Sequence, residues 1–500
     1  MSKLLQGGRI SGVREDVVKF TSSIQSDKKL AEAVIRINQA HVIMLMEQKI
    51  IRWIDGNKLL EILGKLKPAL KTKGAIEDIH MLIEEKVFEL CGPEVGGNLN
   101  IAKSRNDQVA TALRMELREE ILNLIEGFAR LQEVLLKVAQ EYQNTIFPGY
   151  THTQPAQPIT FAHYLVSIID CLNRDIQRLE EAYNRVNLCP MGAGALATSS
   201  FPINRERVAE LLGFDGIVEN SLDAVGSRDF ILETMSALAI ASINISRLVQ
   251  DLILWSSLDF DLIELPDEFS STSSIMPQKK NPDVLEVIRA RISKVFGNFV
   301  AAFSMLRTLP SGYNLDFQEV TPCLWESIEV MKTSLGMLAG LITNVKVHES
   351  SILKSHFSFL AATELANMLV KKYKVPFRSS HKIVGAVVRE LTGKGLTFKD
   401  LSAGLLNNVA GSFGLSLEVK EEDIKMATDL GKVVEWHNVR GGPSPSEVGR
   451  MLKARIENVA SVRTKTSEMR SKIRKAHKKL RLIIKSYMHS SDEPPKCLKD

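Results

Sequence analysis

Ser104–Val138 reads SRNDQVATALRMELREEILNLIEGFARLQEVLLKV. Its apolar residues Val109, Leu113, Leu117, Ile121, Leu124, Phe128, Leu131, Leu135 and Val138 recur at three- and four-residue steps, the repeat of one helix face. Ser104-Arg105-Asn106-Asp107 has the S-x-x-D form of a capping box, which predicts where that helix begins. No proline follows until Pro148. A periodic helix of this length exceeds the usual globular span and points to a bundle.

Working outward, the same pattern returns. A second long helix is expected after Pro158, carrying Phe161, Leu165, Ile168, Leu172, Ile176, Leu179 and Tyr183. A third is expected from about Asp229 to Trp255, a fourth from Pro282 to about Leu306, and a fifth from Pro322 to about Val345. Short Gly/Pro-rich links such as Met191–Ala197 separate them. Ala, Ile and Leu fill most of Met235–Leu254, leaving little for a solvated face, so this helix has to be buried, in part against other subunits. The expected fold is therefore mainly α, with a central bundle of five long helices. Boundaries are placed at 1–103 for an N-terminal helical domain, 104–354 for the bundle, and 355–500 for a C-terminal helical domain. That last domain would carry a basic helix and a frayed polar tail, Ser490–Asp500.

Composition agrees with this class. The chain of 500 residues is long for one core and suggests two or three domains. Aromatics are sparse at 6%, while good helix formers are plentiful. A net charge of +5 is too mild to indicate nucleic acid by itself. Cys91, Cys171, Cys189, Cys323 and Cys497 are scattered and show no CxxC spacing, which implies reduced thiols and no zinc site. The N-terminus has no apolar h-region, and no uninterrupted apolar run reaches the length of a membrane span. A cytoplasmic, soluble protein without a membrane partner is the expectation. Lys465–Tyr487 is basic, with Met469, Ile473, Ala476, Leu480 and Ile484 on one stripe. It reads first as a surface helix with a solvated basic face, and second as an RNA or membrane contact.

Ser270–Pro282, SSTSSIMPQKKNP, stands apart. It has no apolar periodicity, so Phe269–Gln278 is expected to be a mobile loop. Asn281 reads as an N-cap and Pro282 as the first helical residue, with Asp283 and Glu286 facing the positive helix end. Hydroxyls and a cation at a helix N-terminus suit anion binding with proton transfer beside it. On the residues alone, a solvated Ser/Lys loop is an equally good reading.

The loop resembles the SSxMPxKxN signature of the fumarase/aspartase superfamily, and SSIMPQKKNPD resembles its argininosuccinate lyase branch. In the same order along the chain, agreement extends to GGRISG (Gly7–Gly12), EDIHMLIE (Glu77–Glu84), KSRNDQVAT (Lys103–Thr111) and PGYTHTQPAQPITFAHYL (Pro148–Leu165). It continues through PMGAGALA (Pro190–Ala197), ENSLDAVGSRDF (Glu219–Phe230) and GGPSP (Gly441–Pro445). The resemblance implies a three-domain fold and a homotetramer whose central helices pool into one larger core. It also implies cleavage of argininosuccinate to arginine and fumarate in arginine biosynthesis, without metal or cofactor, at sites shared between three subunits.

The resemblance further implies residue roles. Ser273 is the loop residue that abstracts the proton. His152 is the second proton-transfer residue, and Glu286 pairs with it. Substrate contacts carry over to Ser23, Ser104, Arg105, Asn106, Thr151, Tyr313 and Gln318, with Lys279 and Asn281 holding the anion. His80 and Arg228 are weaker candidates. Elimination asks for this set: a base for the proton beside a carboxylate, cations and N–H donors for the doubly charged aci-carboxylate, and a proton for the departing nitrogen.

Some positions depart from the family pattern. Thr272 stands where glycine is usual, and Leu315 and Thr321 stand where cations are usual. Val34, Ile37 and Asn38 replace Asp, Gly and Ser. A sister lyase and a catalytically silent homologue are the alternatives these departures leave open.

Overall fold

The structure, a computed structural model, describes residues 12–67 and 76–489. Most of GGRISG, the expected frayed tail and Cys497 lie outside the described residues.

The first long helix, Arg105–Glu141, starts where its cap predicts. Ser104 Oγ accepts the Asn106 N–H at 3.4 Å, and the Ser104 N–H donates to Asp107 Oδ1 at 2.9 Å. Asp107 also reaches across the fold. Its Oδ2 accepts the N–H groups of Gly192 and Gly194 at 3.1 and 2.9 Å. Both glycines have positive φ, +84° and +62°, a conformation that other residues resist. The Gly-rich link Met191–Ala197 is thus pinned to the start of the bundle.

The other long helices are Phe161–Val186, Asp229–Trp255, Asp283–Leu306 and Phe317–Thr343. Each packs on the next in chain order, and the fifth returns to the first, which closes a ring. The largest core fills that ring, with Leu117, Phe128, Leu172, Leu238, Ile288 and Leu335 inside. The fifth helix begins five residues before the expected Pro322, which sits inside it. There Pro322 leaves the Gln318 carbonyl without the donor that residue 322 would otherwise supply.

Two further cores flank the ring. One joins the helices Ala31–Glu47, Trp53–Lys65, Ile79–Cys91 and Arg205–Leu212. The other runs from Ala361 to Val433. The basic segment is the end of a sixth long helix, Pro445–Met488, of 44 residues. Val448, Leu452, Val459 and Ile473 on this helix enter the ring's core, and Leu480, Ile483 and Tyr487 enter the N-terminal core. The helix thus staples two cores rather than standing beside the third. Much of its charge is answered: Lys465 pairs with Glu180 at 2.7 Å, Arg470 with Glu126 at 2.8 Å, and Lys479 with Glu210 at 2.6 Å.

Among the described residues one helix, Asp229–Trp255, is long and apolar enough to cross a membrane. Half of its most apolar window is buried inside this chain. It lies between the second and fourth long helices of the ring.

Candidate functional site

A cavity of about 290 Å³ opens between the N-terminal segment and the ring. It gathers five expected residues: Ser23, Arg105, Asn106, Tyr313 and Gln318. Local bonds explain the gathering. The Ser23 N–H donates to the Glu77 carbonyl at 2.9 Å, and Ser22 Oγ donates to that of Ile76 at 2.6 Å. Gln318 Nε2 donates to the Thr21 carbonyl at 3.0 Å. Residues 21–23 are therefore tied to both walls. Asp78 caps the helix Ile79–Cys91 by accepting the Met81 N–H at 2.7 Å, while its other oxygen holds Arg105.

Sequence reasoning missed three carboxylates on the wall: Asp27, Glu77 and Asp78. Asp27 lies one helical turn after Ser23 and accepts the Ser23 hydroxyl at 2.5 Å. Burial pushes its pKa up to about 6, against the lowering effect of that hydrogen bond. Burial raises Glu77 as well. Arg105 is the one cation among the lining residues, and Leu315 and Thr321 line the same wall. Ser104 does not line it and serves as the helix cap. His80 is buried, and burial pushes its pKa down to about 4.

His152 and Thr151 lie elsewhere. They sit on a β-hairpin, Ile146–Thr151 paired antiparallel with Gln154–Thr160, where the residues between the first two long helices carry no strand alternation. Prolines 148, 155 and 158 disguise it, because proline is tolerated only on edge strands. Thr151 faces Gln154, so His152 and Thr153 form a two-residue turn, with φ of 51° and 61°. Two positive φ values are the mark of a type I′ turn, normally an Asn-Gly position. The tip is exposed. Its base is anchored: Thr145 Oγ1 donates to Glu349 at 2.7 Å, and His163 Nε2 lies 3.0 Å from the Gly441 carbonyl.

The signature loop forms a third place. Ser271 pairs with Asn281 and Thr272 with Lys280 in a short antiparallel ladder. Asn281 therefore does not cap the fourth helix. That helix starts at Asp283, and Pro282 holds the cap position without a side-chain bond. In the ladder Asn281 Nδ2 points instead to Ser271 Oγ, at 3.4 Å. Ser273 Oγ accepts the N–H groups of Ile275 and Met276 at 3.3 and 3.1 Å. Two adjacent lysines divide the work. Lys280 Nζ tethers the loop to the Leu265 carbonyl at 2.5 Å and to Asp267 at 2.6 Å. Lys279 is exposed and has no ion pair among the described residues. Glu286 is exposed in the first turn of the fourth helix.

None of His152, Thr151, Ser273, Lys279, Asn281 and Glu286 lines the cavity. Within one chain the expected residues thus fall on the cavity wall, at the hairpin tip, and on the signature loop with its helix. Among the described residues no three His, Cys, Asp or Glu side chains gather closely enough to hold a metal ion.

Residues 11–297 match the family model described as lyase, and residues 359–435 match that of the argininosuccinate lyase C-terminal region. The chain is 42% identical over 480 residues to an argininosuccinate lyase of Methanocaldococcus jannaschii, covering 94% of this chain and 98% of the relative. It belongs to the argininosuccinate lyase family. Another member, from Methanosarcina barkeri, is 41% identical over 459 residues, covering 91% of this chain and 93% of that one. Among solved structures, EDDS lyase in complex with formate superposes with a TM-score of 0.87 at 27% identity, over 98% of this chain and 99% of that chain. A class II fumarase from Schistosoma mansoni superposes at 0.67 and 16% identity over 82% of this chain and 91% of that one, which speaks for the fold alone.

Proposed function

We propose that this chain cleaves argininosuccinate reversibly into arginine and fumarate by β-elimination, as a step of arginine biosynthesis in the cytoplasm. Full-length membership of the argininosuccinate lyase family carries this reading. Free thiols at Cys91, Cys171, Cys189 and Cys323 accord with a reducing compartment.

Ser273 takes the proton from the carbon beside the succinyl carboxylate. A free hydroxyl is a weak base, and the two backbone N–H groups on its Oγ favour the deprotonated form. The electron pair passes into the carboxylate as an aci-carboxylate, held by Lys279 and neighbouring N–H donors. Collapse of that state breaks the C–N bond and forms the fumarate double bond. His152, paired with Glu286, gives the departing nitrogen its proton. The cavity carries both signs of charge, Arg105 beside Asp27, Glu77 and Asp78, and suits a substrate end that bears both an ammonium and a carboxylate.

A homotetramer would unite the three places. It is supported by apolar side chains that one chain leaves open: Phe296, Val300 and Phe303 on one face of the fourth helix, Ile240 and Ile243 on the third, and Met337 on the fifth. A catalytically silent homologue is the second reading, favoured by Leu315 and Thr321 on the cavity wall. Incubation of the purified protein, treated with chelator, with argininosuccinate decides between them. Fumarate absorbance should rise; a folded protein that releases none above the no-enzyme control establishes the second reading.

A further inference from the structure

Arg228 is buried where the short helix Ser221–Gly226 gives way to the third long helix. Its Nη1 donates to the carbonyls of Val225 and Ser227 at 3.2 and 2.7 Å. That bonding answers the open carbonyls at the end of the short helix, a structural duty. The rest of the guanidinium is not used in this way. Nε and Nη2 are buried and have no hydrogen-bond partner among the described residues. Among the described residues no carboxylate pairs with it: burial pushes its pKa down to about 10, Tyr313 opposes this, and Arg114 adds to it. It therefore stays cationic at neutral pH, and a buried cation without a counter-ion is costly.

Two rings stand in for the counter-ion. The guanidinium carbon lies 4.2 Å from the centroid of Phe317 and 5.9 Å from that of Tyr313. These two rings meet edge-on at 5.6 Å, and both residues line the cavity. The backbone repeats the same contact. A Cβ on Gly226 would lie 3.1 Å from the Gly312 nitrogen, so the loop leading into Tyr313 rests directly on the short helix that Arg228 caps.

Other buried arginines show what a purely structural one looks like here. Arg114 sits over Phe230, and its two Nη atoms bond the Arg185 carbonyl and Ser227 Oγ. Arg118 sits over Phe214, and its two bond Asn187, Gly213 and Leu212. Neither ring lines the cavity. Among the described residues Nε is unpartnered in all three; Arg228 differs in its idle Nη2 and in touching rings that line the cavity.

We propose that Arg228 is a positioning residue for the substrate site. Its guanidinium sets the Tyr313 and Phe317 rings on the cavity wall and, as a buried cation behind Tyr313, strengthens that phenol as a donor to a substrate carboxylate. The other cation at this cavity, Arg105, is engaged by Asp78. With Leu315 and Thr321 uncharged, Arg228 supplies the positive charge behind that wall. This role rests on the reading of the cavity as the substrate site.

A double-mutant cycle on fumarate release tests it, with wild type, Arg228→Met, Tyr313→Phe and the double variant. Each single substitution should raise KM for argininosuccinate about tenfold with kcat changed less than about threefold, and the double should be no worse than Tyr313→Phe alone. Multiplying effects on kcat/KM, or an unchanged KM in Arg228→Met, would overturn the role and leave the cavity reading standing. An unchanged KM in Tyr313→Phe would overturn the cavity reading and this role together. If Arg228→Met fails to fold, Arg228→Lys enters the same cycle: it keeps the charge but loses the planar stack, and the same coupling with Tyr313 is required of it.

Discussion

Ser271 and Asn281 face each other across a two-residue antiparallel ladder, with Asn281 Nδ2 3.4 Å from Ser271 Oγ. The ladder closes the base of the signature loop and leaves Ser274–Lys279 exposed beyond it.

Ser273→Ala should therefore remove turnover without loosening the fold. A fall in kcat on the order of 10²–10⁴ is expected, with little shift of the urea midpoint, because the half-buried Ser273 hydroxyl bonds only N–H groups of its own loop. Ser274→Ala should be much milder. Small, equal effects of both substitutions in steady-state kinetics would assign the base to another residue.

The hairpin tip stores strain at His152. Thr153 is β-branched at φ 61°, a conformation that costs on the order of 1 kcal/mol. Asparagine tolerates that conformation, so Thr153→Asn should raise the urea midpoint by the equivalent of about 0.5–1 kcal/mol. Thr153→Gly should lower kcat as well, since it frees the turn that aims His152. A hairpin whose stability ignores both substitutions would show that the tip is relaxed.

Asp27 makes stability depend on pH in a defined direction. Its folded pKa of about 6 lies above the usual aspartate value. Between about pH 4 and 6 the folded state keeps a proton that the unfolded chain has released, so stability falls as pH rises through that window. Asp107 and Asp175, each also pushed up to about 6 chiefly by burial, act in the same sense. Asp27→Asn should flatten its share and stabilise the protein at pH 7 by on the order of 2 kcal/mol. Parallel urea midpoints of wild type and variant from pH 4 to 7 would contradict this.

Sites shared between chains, as proposed, call for complementation. The protein should run as a tetramer of about 220 kDa, four chains of 55.7 kDa. Inactive His152→Asn and Ser273→Ala proteins, re-assembled into mixed tetramers verified with mass-tagged subunits, should regain part of the activity. Verified mixed tetramers without recovery, or an active monomer, would refute sites shared between chains.

Much of this architecture was legible along the chain. Three- and four-residue apolar steps and the Ser104–Asp107 box are local signals. They located the long helices, and Asp229–Trp255 came out at its expected ends. Local signals failed where distant partners competed for the same group. Asn281 is a good cap by type, but Ser271 claimed it for a ladder. Prolines hid the hairpin, whose register depends on pairing Ile146 with Thr160. The basic helix did read correctly, with Ile473, Leu480 and Ile484 buried and most of its lysines exposed; what stayed hidden were its ion-pair partners Glu180, Glu126 and Glu210, hundreds of residues away.

The sequence by itself determined the helical class, the family and the residue types that elimination requires, because periodicity, caps and motifs are short-range properties of the chain. Only the tertiary structure decided that Asp27, Glu77 and Asp78 join Arg105 and Tyr313 around one cavity, and that Lys280 rather than Lys279 ties down the loop. It alone left Arg228 buried beneath two rings with Nε and Nη2 unused. Burial and long-range pairing set charge state and position, and neither is written in any one stretch of residues.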